Sequence, residues 1–162
     1  MRRIARERAA CSTALDHARH ALIVDAMITV SRTVGRLVEV RICTPVIGLE
    51  IVAMAQAVSA EVAKVRVPIV GITDLRAATV FPVELADQVA VFFRHDSPHI
   101  ARSGMLTTGG ATFAMQIARV LREAPDPNRR SFSDRFELEA WLGEVLTPEE
   151  RRRMNTFLNE GQ

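Results

Sequence analysis

Residues 67–93 read VPIVGITDLRAATVFPVELADQVAVFF, and this stretch decides the fold. Its first six residues carry no charge, which is typical of a central strand that is covered on both faces. The linker LRAATVF follows Asp74, and Pro82 then opens a predicted helix whose polar residues fall on one stripe. The stretch therefore predicts a buried strand, a loop and a helix that covers the sheet.

Upstream of this stretch, apolar residues occupy every second position of two short segments. Ile28 and Val30 share one face of the first segment, and Val38, Val40 and Ile42 share one face of the second. The short link between them favours an antiparallel hairpin. A helix is then predicted to start at Thr44 and Pro45, because a hydroxyl caps free amides and proline suits the first helical position. This helix runs to about Lys64.

Downstream, the sequence predicts a strand in residues 99–108, a helix after it, and a short strand near Arg130. Ser133 and Thr147 are predicted to cap two final helices, the second through a Thr-Pro-Glu-Glu capping box. Strands that alternate with helices imply right-handed crossovers. The predicted fold is therefore an α/β domain with a single mixed sheet of about four or five strands, helices packed against it and a C-terminal helix.

The chain is long enough for one domain and no more, with 162 residues of which 48% are hydrophobic. Residues 1–25 are predicted to form an N-terminal tail or loose helix, and residues 26–162 the domain with its C-terminal helical extension. The 21 basic residues nearly balance the 19 acidic ones. This balance argues against binding to nucleic acid through phosphate contacts.

Cysteine content and hydropathy bear on the cellular compartment. Cys11 and Cys43 are too few for a disulfide scaffold and lack the paired spacing of a zinc site. Charged and polar residues such as Glu50 and Glu61 interrupt the longest apolar stretch, so no membrane-spanning helix is predicted. The segment before ALIV makes a poor signal peptide. We therefore expect a cytoplasmic protein.

Three sequence features could carry chemistry, and each has a simpler interpretation. His95, Asp96 and His99 are suitable metal ligands, but Pro98 disfavours the continuous helix that would align them, so a polar loop is favoured and no metal is predicted. The run Thr107, Thr108, Gly109, Gly110 could cradle an anion before a helix, although it lacks the lysine of a Walker loop. A tight turn is the favoured interpretation.

The third feature is Asp74, which lies where open α/β sheets bind ligands. An Asx hydrogen bond within its own loop is the favoured role. No serine stands in a nucleophile-elbow context, and Cys43 is interpreted as a buried small side chain. An apolar pocket for a lipid or small metabolite stays open as an alternative to plain core packing. It would involve Met54, Phe92, Phe93, Met105, Phe113 and Met115.

The order of elements, together with residues 67–93, resembles the STAS family of anti-sigma-factor antagonists and sulfate-transporter tails. A group of small bacterial STAS-like and lipid-carrier-like proteins is similar as well. The pairs that carry the likeness are Asp74-Leu75 at the strand end and Thr79-Val80-Phe81 in the loop. The resemblance spans roughly Met27 to Trp141. It implies a non-enzymatic bacterial module, without a cofactor, that regulates a partner protein through protein contacts.

In such modules a helix and the loop before it often form the contact, which here gives a candidate partner or ligand surface. It comprises Asp74, Arg76, Thr79, Phe81, Pro82, Glu84, Thr107, Thr108, Gly109 and Gly110. The Asp-Ser phosphorylation pair of the antagonists falls on Pro82 and Val83, so the resemblance implies that the phosphorylation switch is missing. Residues 45–64 carry more apolar side chains than one buried stripe uses. They predict a homodimer, or else cover by the N-terminal segment.

Overall fold

The computed structural model of the chain describes residues 22–24, 27–108 and 110–161. These residues form six β-strands, five α-helices and a 3₁₀ turn at Ser97–His99. The strands are β1 Leu22–Val24, β2 Ile28–Ser31, β3 Leu37–Ile42, β4 Ile69–Asp74, β5 Ile100–Leu106 and β6 Arg129–Phe132. The helices are α1 Gly48–Ala63, α2 Val83–Asp96, α3 Ala111–Glu123, α4 Arg135–Gly143 and α5 Pro148–Glu160.

All six strands form one mixed sheet in the order of the sequence. The β1–β2 and β2–β3 pairs are antiparallel, whereas the β3–β4, β4–β5 and β5–β6 pairs are parallel. The predicted α/β fold with a mixed sheet is thus confirmed. The additional strand is β1, which lies in the segment predicted to be a tail and pairs with β2 through Val24 and Ile28. Residues 1–21 of that segment lie outside the described residues.

Helices cover both faces of the sheet. Because the parallel strands follow one another in sequence, right-handed crossovers place α1, α2 and α3 on the same face. Val38, Val40 and Ile42 pack on that face, while Val70 and Ile72 pack on the other, against α4 and α5. The predicted central strand is therefore covered on both faces.

Two predicted helix starts are wrong, and hydrogen bonds explain why. Helix α1 begins at Gly48 instead of Pro45, because the Thr44 hydroxyl accepts a hydrogen bond from the Thr79 N–H at 3.2 Å and so ties a loop. The Glu50 carboxylate instead accepts from the N–H of Ile47 at 2.7 Å. In α4 the cap is Asp134, not Ser133, and its carboxylate accepts from the Glu137 N–H.

The predicted start of α5 is confirmed. The Thr147 hydroxyl accepts from the Glu150 N–H at 3.2 Å, and the Glu150 carboxylate accepts from the Thr147 N–H at 2.9 Å. The same carboxylate accepts from the N–H of Arg36 at 2.8 Å. Although burial alone raises the pKa of Glu150, these hydrogen bonds lower it below its ordinary value. The capping box thus also fastens α5 to the β2–β3 turn.

Candidate functional site

The loop after β4 and the turn after β5 lie side by side at the carboxyl edge of the parallel strands. The Leu75 N–H donates to the Leu106 carbonyl at 2.9 Å, and the Thr108 hydroxyl donates to the Arg76 carbonyl at 3.5 Å. Both segments follow adjacent parallel strands, which is why the fold brings them together. Gly109 lies outside the described residues, and Gly110 is the residue before α3.

The end of the loop is fixed by Phe81. Its N–H donates to the Gln116 side-chain oxygen at 2.8 Å, and the Gln116 amide donates back to the Phe81 carbonyl at 2.7 Å. The Phe81 ring packs edge-on against Phe113 with 5.4 Å between ring centroids. Phe81 is buried, so it holds the loop in place and is not part of the exposed surface.

The middle of the loop is fixed by a pair of threonines. The hydroxyls of Thr44 and Thr79 lie 3.1 Å apart, and the Thr44 N–H donates to the Ala77 carbonyl at 3.4 Å. Thr79 itself is exposed. The loop is thus hydrogen-bonded to the segment before α1 as well as to α3, and its outward residues are presented in a fixed arrangement.

Apolar side chains are exposed around this fixed loop. Val80 is 48% exposed, Val83 55% and Met115 72%, and Met115 directly precedes the Gln116 that binds Phe81. We define the carboxyl-edge surface as these three side chains and their exposed neighbours Thr79, Pro82, Glu84, Thr108 and Gly110.

Val83 and Met115 are exposed contact candidates that the sequence pattern does not single out, since it places Met115 in the possible apolar pocket. The helical position of Met115, three residues after Thr112 and four before Arg119, places it on the outward stripe of α3 and could have identified it.

Asp74 ends β4 but does not lie open at the edge. It is only 2% exposed. Its carboxylate accepts hydrogen bonds from the N–H of Arg76 at 3.1 Å and from the Arg76 guanidinium at 3.0 and 2.9 Å, and Arg41 approaches at 3.4 Å. The bond to the N–H two residues on is the Asx turn that the sequence favoured. The Asp74 carboxylate therefore has a structural role, because its hydrogen bonds hold Arg41 and Arg76 in position.

The two arginines around Asp74 also hold the last helix. Arg41 donates to the carbonyl of Phe157 at 2.7 Å, and its guanidinium lies 4.5 Å from the centroid of that ring. Arg76 donates to the carbonyl of Leu158 at 2.6 Å. These carbonyls lie in the last turn of α5, where helical carbonyls lack partners within the helix. Asp74, Arg41 and Arg76 therefore clamp the end of α5 to the sheet.

A second polar cluster on the same face centres on Glu39 of β3, which is 1% exposed. Arg153 of α5 forms two hydrogen bonds to its carboxylate, at 2.6 and 2.7 Å, and the Ser31 hydroxyl adds a third at 3.1 Å. Burial raises the pKa of Glu39, and the contacts with Arg153 oppose that rise. This ion pair secures the middle of α5.

The predicted polar loop around His95 and His99 is wrong, because His95 and Asp96 are the last residues of α2 and Ser97–His99 form the 3₁₀ turn. Asp96 is 4% exposed, and burial raises its pKa although the nearby Arg129 opposes the rise. Arg129 lies over the ring of Phe93 at 4.1 Å and donates to its carbonyl at 3.0 Å. Within the described ranges, no group of three or more His, Cys, Asp or Glu side chains is placed to hold a metal ion.

The six Met and Phe residues that could have formed an apolar pocket do not share one environment. Met54, Met105 and Phe113 are buried core residues, and Phe92 and Phe93 are half-buried. The interior cavity near Met54 and Met105 measures only about 50 Å³, little more than one or two waters. A larger space is an open groove of about 730 Å³ between α1 and α2. Ile51, Val52, Ala55, Val91 and Phe92 form its apolar lining.

In the part of the chain that the structure describes, no helix has the length and apolar character to cross a membrane. Comparisons of the chain with protein-family models, with curated proteins and with solved structures find no match.

Proposed function

We propose that the chain is a non-catalytic, STAS-like regulatory module of the bacterial cytoplasm that docks a partner protein through the carboxyl-edge surface. The observation that carries this proposal is the combination of a hydrogen-bonded loop with exposed Val80, Val83 and Met115. A fixed loop loses little conformational entropy on binding, and apolar side chains on it gain most from being covered. The partner is expected to offer apolar side chains, and Glu84 favours a basic residue beside them.

The polar groups at this edge support a docking role over catalysis. General acid–base chemistry needs a group that is free to exchange a proton with a substrate. Asp74 is instead held by Arg41 and Arg76, and the Thr79 hydroxyl is held by Thr44. Their hydrogen bonds are made within the protein, while the side chains of Val80, Val83 and Met115 are exposed at the same edge.

Charge substitutions on the surface test the proposal. We expect Val83→Arg and Met115→Arg each to weaken binding of the natural partner by about tenfold or more, because an apolar contact becomes a buried charge. Phe136→Arg is the matched control, since Phe136 is 76% exposed on α4, on the other face of the sheet. The partner would be captured from native cells and its affinity measured by calorimetry with purified proteins. Equal affinity for all three variants would refute this surface.

Loss of the phosphorylation switch is the second part of the proposal. The positions of the Asp-Ser pair are Pro82 and Val83, and neither side chain has a hydroxyl. Thr79 is the nearest hydroxyl in the loop and is hydrogen-bonded to Thr44. We expect intact-mass analysis of protein from native cells, with peptide mapping of residues 76–94, to show no phosphate. A substantial phosphorylated fraction at Thr79 would make the loop a regulatory site, because phosphate adds up to about two negative charges.

A second candidate function is supported by the groove between α1 and α2. Its volume of about 730 Å³ lies within the range of small-molecule sites, and its lining is mainly apolar. The chain would then carry or sense a small apolar ligand. A stoichiometric small molecule retained through purification would favour this function. The homodimer predicted from residues 45–64 stays a prediction, to be checked by sedimentation.

A further inference from the structure

The groove between α1 and α2 is lined by apolar side chains that the fold leaves uncovered. Val52 of α1 is 47% exposed and Val91 of α2 is 57% exposed, so both helices contribute. Apolar surface of this kind is typical of a site that another molecule covers. The two helices run parallel to each other, because each connects neighbouring parallel strands. A helix of a second molecule can therefore lie lengthwise between them.

Val91 lies midway between the ionisable residues that line the groove, Asp87 and His95. Each of them is four positions from Val91, which is about one helical turn. The three side chains therefore follow one another along the same side of α2. That side of the helix has a carboxylate towards its beginning, an apolar centre and an imidazole at its end.

This order of side chains is self-complementary when two copies of α2 pack antiparallel. A two-fold axis near Val91 places the two Val91 side chains together and brings Asp87 of each copy opposite His95 of the other. An imidazole N–H donates to a carboxylate whether or not the ring is charged, and a protonated ring adds attraction. Parallel packing would instead place Asp87 against Asp87, which is unfavourable.

Asp87 and His95 are both accessible for such a contact. The side chain of Asp87 is 53% exposed, although the Arg119 guanidinium of α3 donates to its Oδ1 atom at 2.6 Å. A carboxylate has two oxygens and accepts several hydrogen bonds, so the contact with Arg119 leaves room for another donor. His95 is exposed as well.

The α1 side of the groove permits a close approach of the second copy. Beside the buried Ile51, α1 lines the groove with four uncharged side chains, of which two are small: Val52, Ala55, Gln56 and Ser59. In the antiparallel arrangement α2 of each copy lies in the groove of the other and covers Val52. The contact therefore accounts for the exposed apolar side chains of both helices.

We infer that the chain forms a two-fold symmetric homodimer in which α2 of each copy lies antiparallel in the groove between α1 and α2 of the other. Val91 lies at the axis, and Asp87 of each copy lies opposite His95 of the other. The contact uses the middle of α2, whereas the carboxyl-edge surface uses its first turn, so the dimer does not depend on the partner proposed above. The dimer fills the groove and closes it to small molecules.

An exchange of charges tests the inference. We expect Asp87→Lys and His95→Glu each to weaken self-association by about tenfold or more in sedimentation, since each replaces two attractive pairs across the axis by two unfavourable ones. An equimolar mixture of the two variants should form a heterodimer with an affinity close to that of the original dimer. In it, the new lysine lies opposite the new glutamate, and the original Asp87 lies opposite the original His95. Native mass spectrometry distinguishes this heterodimer by its mass.

Two further variants complete the test. Val91→Arg places two guanidinium groups at the axis and should dissociate the dimer even if a charge exchange disturbs folding. Glu144→Lys is the matched control and should dimerise like the original protein. Glu144 is also an exposed carboxylate that pairs with an arginine, but it lies at the end of α4, on the other face of the sheet.

The following results would overturn the inference. The original protein is a monomer at high micromolar concentration, the single variants and Val91→Arg leave a dimer intact, or the mixture of folded variants forms no heterodimer. A dimer that Val83→Arg dissociates and Asp87→Lys leaves intact would assign the interface to the carboxyl-edge surface instead. Loss of partner binding in Val83→Arg, with the dimer intact, would bear only on the carboxyl-edge surface.

Discussion

Arg153→Met is expected to lower the free energy of unfolding by about 3–5 kcal/mol, because it leaves the buried Glu39 carboxylate without its cation. Glu39 is 1% exposed and receives two hydrogen bonds from Arg153, so water cannot readily replace them. Urea unfolding at pH 7 would measure the loss. Arg152→Met is the matched control, since Arg152 is exposed and adjacent in sequence. A loss as small as that of the control would show that the ion pair contributes little.

The loss of unfolding free energy caused by Arg153→Met should depend on pH in a defined direction. Burial raises the pKa of Glu39 above its ordinary 4.5, and Arg153 opposes that rise, so its removal raises the pKa further. A carboxyl whose pKa is higher in the folded state than in the unfolded state binds protons preferentially when folded. The deficit of Arg153→Met should therefore be largest at pH 7 and should shrink as the pH falls towards 4.5. An unchanged deficit across that range would contradict the assignment to Glu39.

Replacing both partners provides a further check on the ion pair. Glu39→Leu combined with Arg153→Met removes the buried charge together with its cation, and such exchanges are often neutral or stabilising. We expect the double variant to regain most of the stability that Arg153→Met loses. A double variant that is no more stable than Arg153→Met would mean that packing, not the unpaired charge, causes the loss.

Asp74→Ala is expected to have the next largest effect, a loss of about 3 kcal/mol, because it leaves the buried guanidinium of Arg41 without a carboxylate. Arg41 and Arg76 also hold the last carbonyls of α5, so amide exchange in residues 155–160 should accelerate. Asp87→Ala is the control. Its partner Arg119 is exposed, and such surface pairs contribute about 1 kcal/mol or less.

The Asp74 substitution also separates a docking module from an enzyme. If Asp74 holds α5 against the sheet, replacing Asp74 lowers the stability of the fold. Affinity for a partner then changes only as far as the substitution disturbs the carboxyl-edge surface. An enzymatic rate that Asp74→Asn abolishes while the fold persists would contradict the proposed function. Circular dichroism on the same sample would establish that the fold persists.

The spacing of apolar residues along the chain was sufficient to predict most of the strands. Alternation over Ile28 to Ile42 predicted two strands with the correct inward faces, and the run from Val67 predicted the central strand with a shift of two residues at each end. Capping chemistry predicted α5 correctly because Thr147 and Glu150 satisfy each other locally.

Long-range contacts account for what could not be predicted. Thr44 was expected to cap a helix, but its hydroxyl instead accepts a hydrogen bond from the N–H of Thr79, which is 35 residues away. The Asx turn of Asp74 was predicted from its own loop, but the arginines from β3 and the following loop that enclose it beneath α5 were not. Glu39 and Arg153 are 114 residues apart, and no local pattern marks them as partners. The exposed apolar residues of the carboxyl-edge surface depend on the same tertiary contacts.

Native mass spectrometry of the chain isolated from its native cells tests the docking function most directly. If the chain is a docking module, it forms a complex with a second polypeptide in a fixed ratio, and this complex is present with Phe136→Arg and lost with Val83→Arg. The isolated chain is then expected to retain no small molecule. A chain that carries one small molecule and no polypeptide, or a complex that Val83→Arg leaves intact, would contradict it.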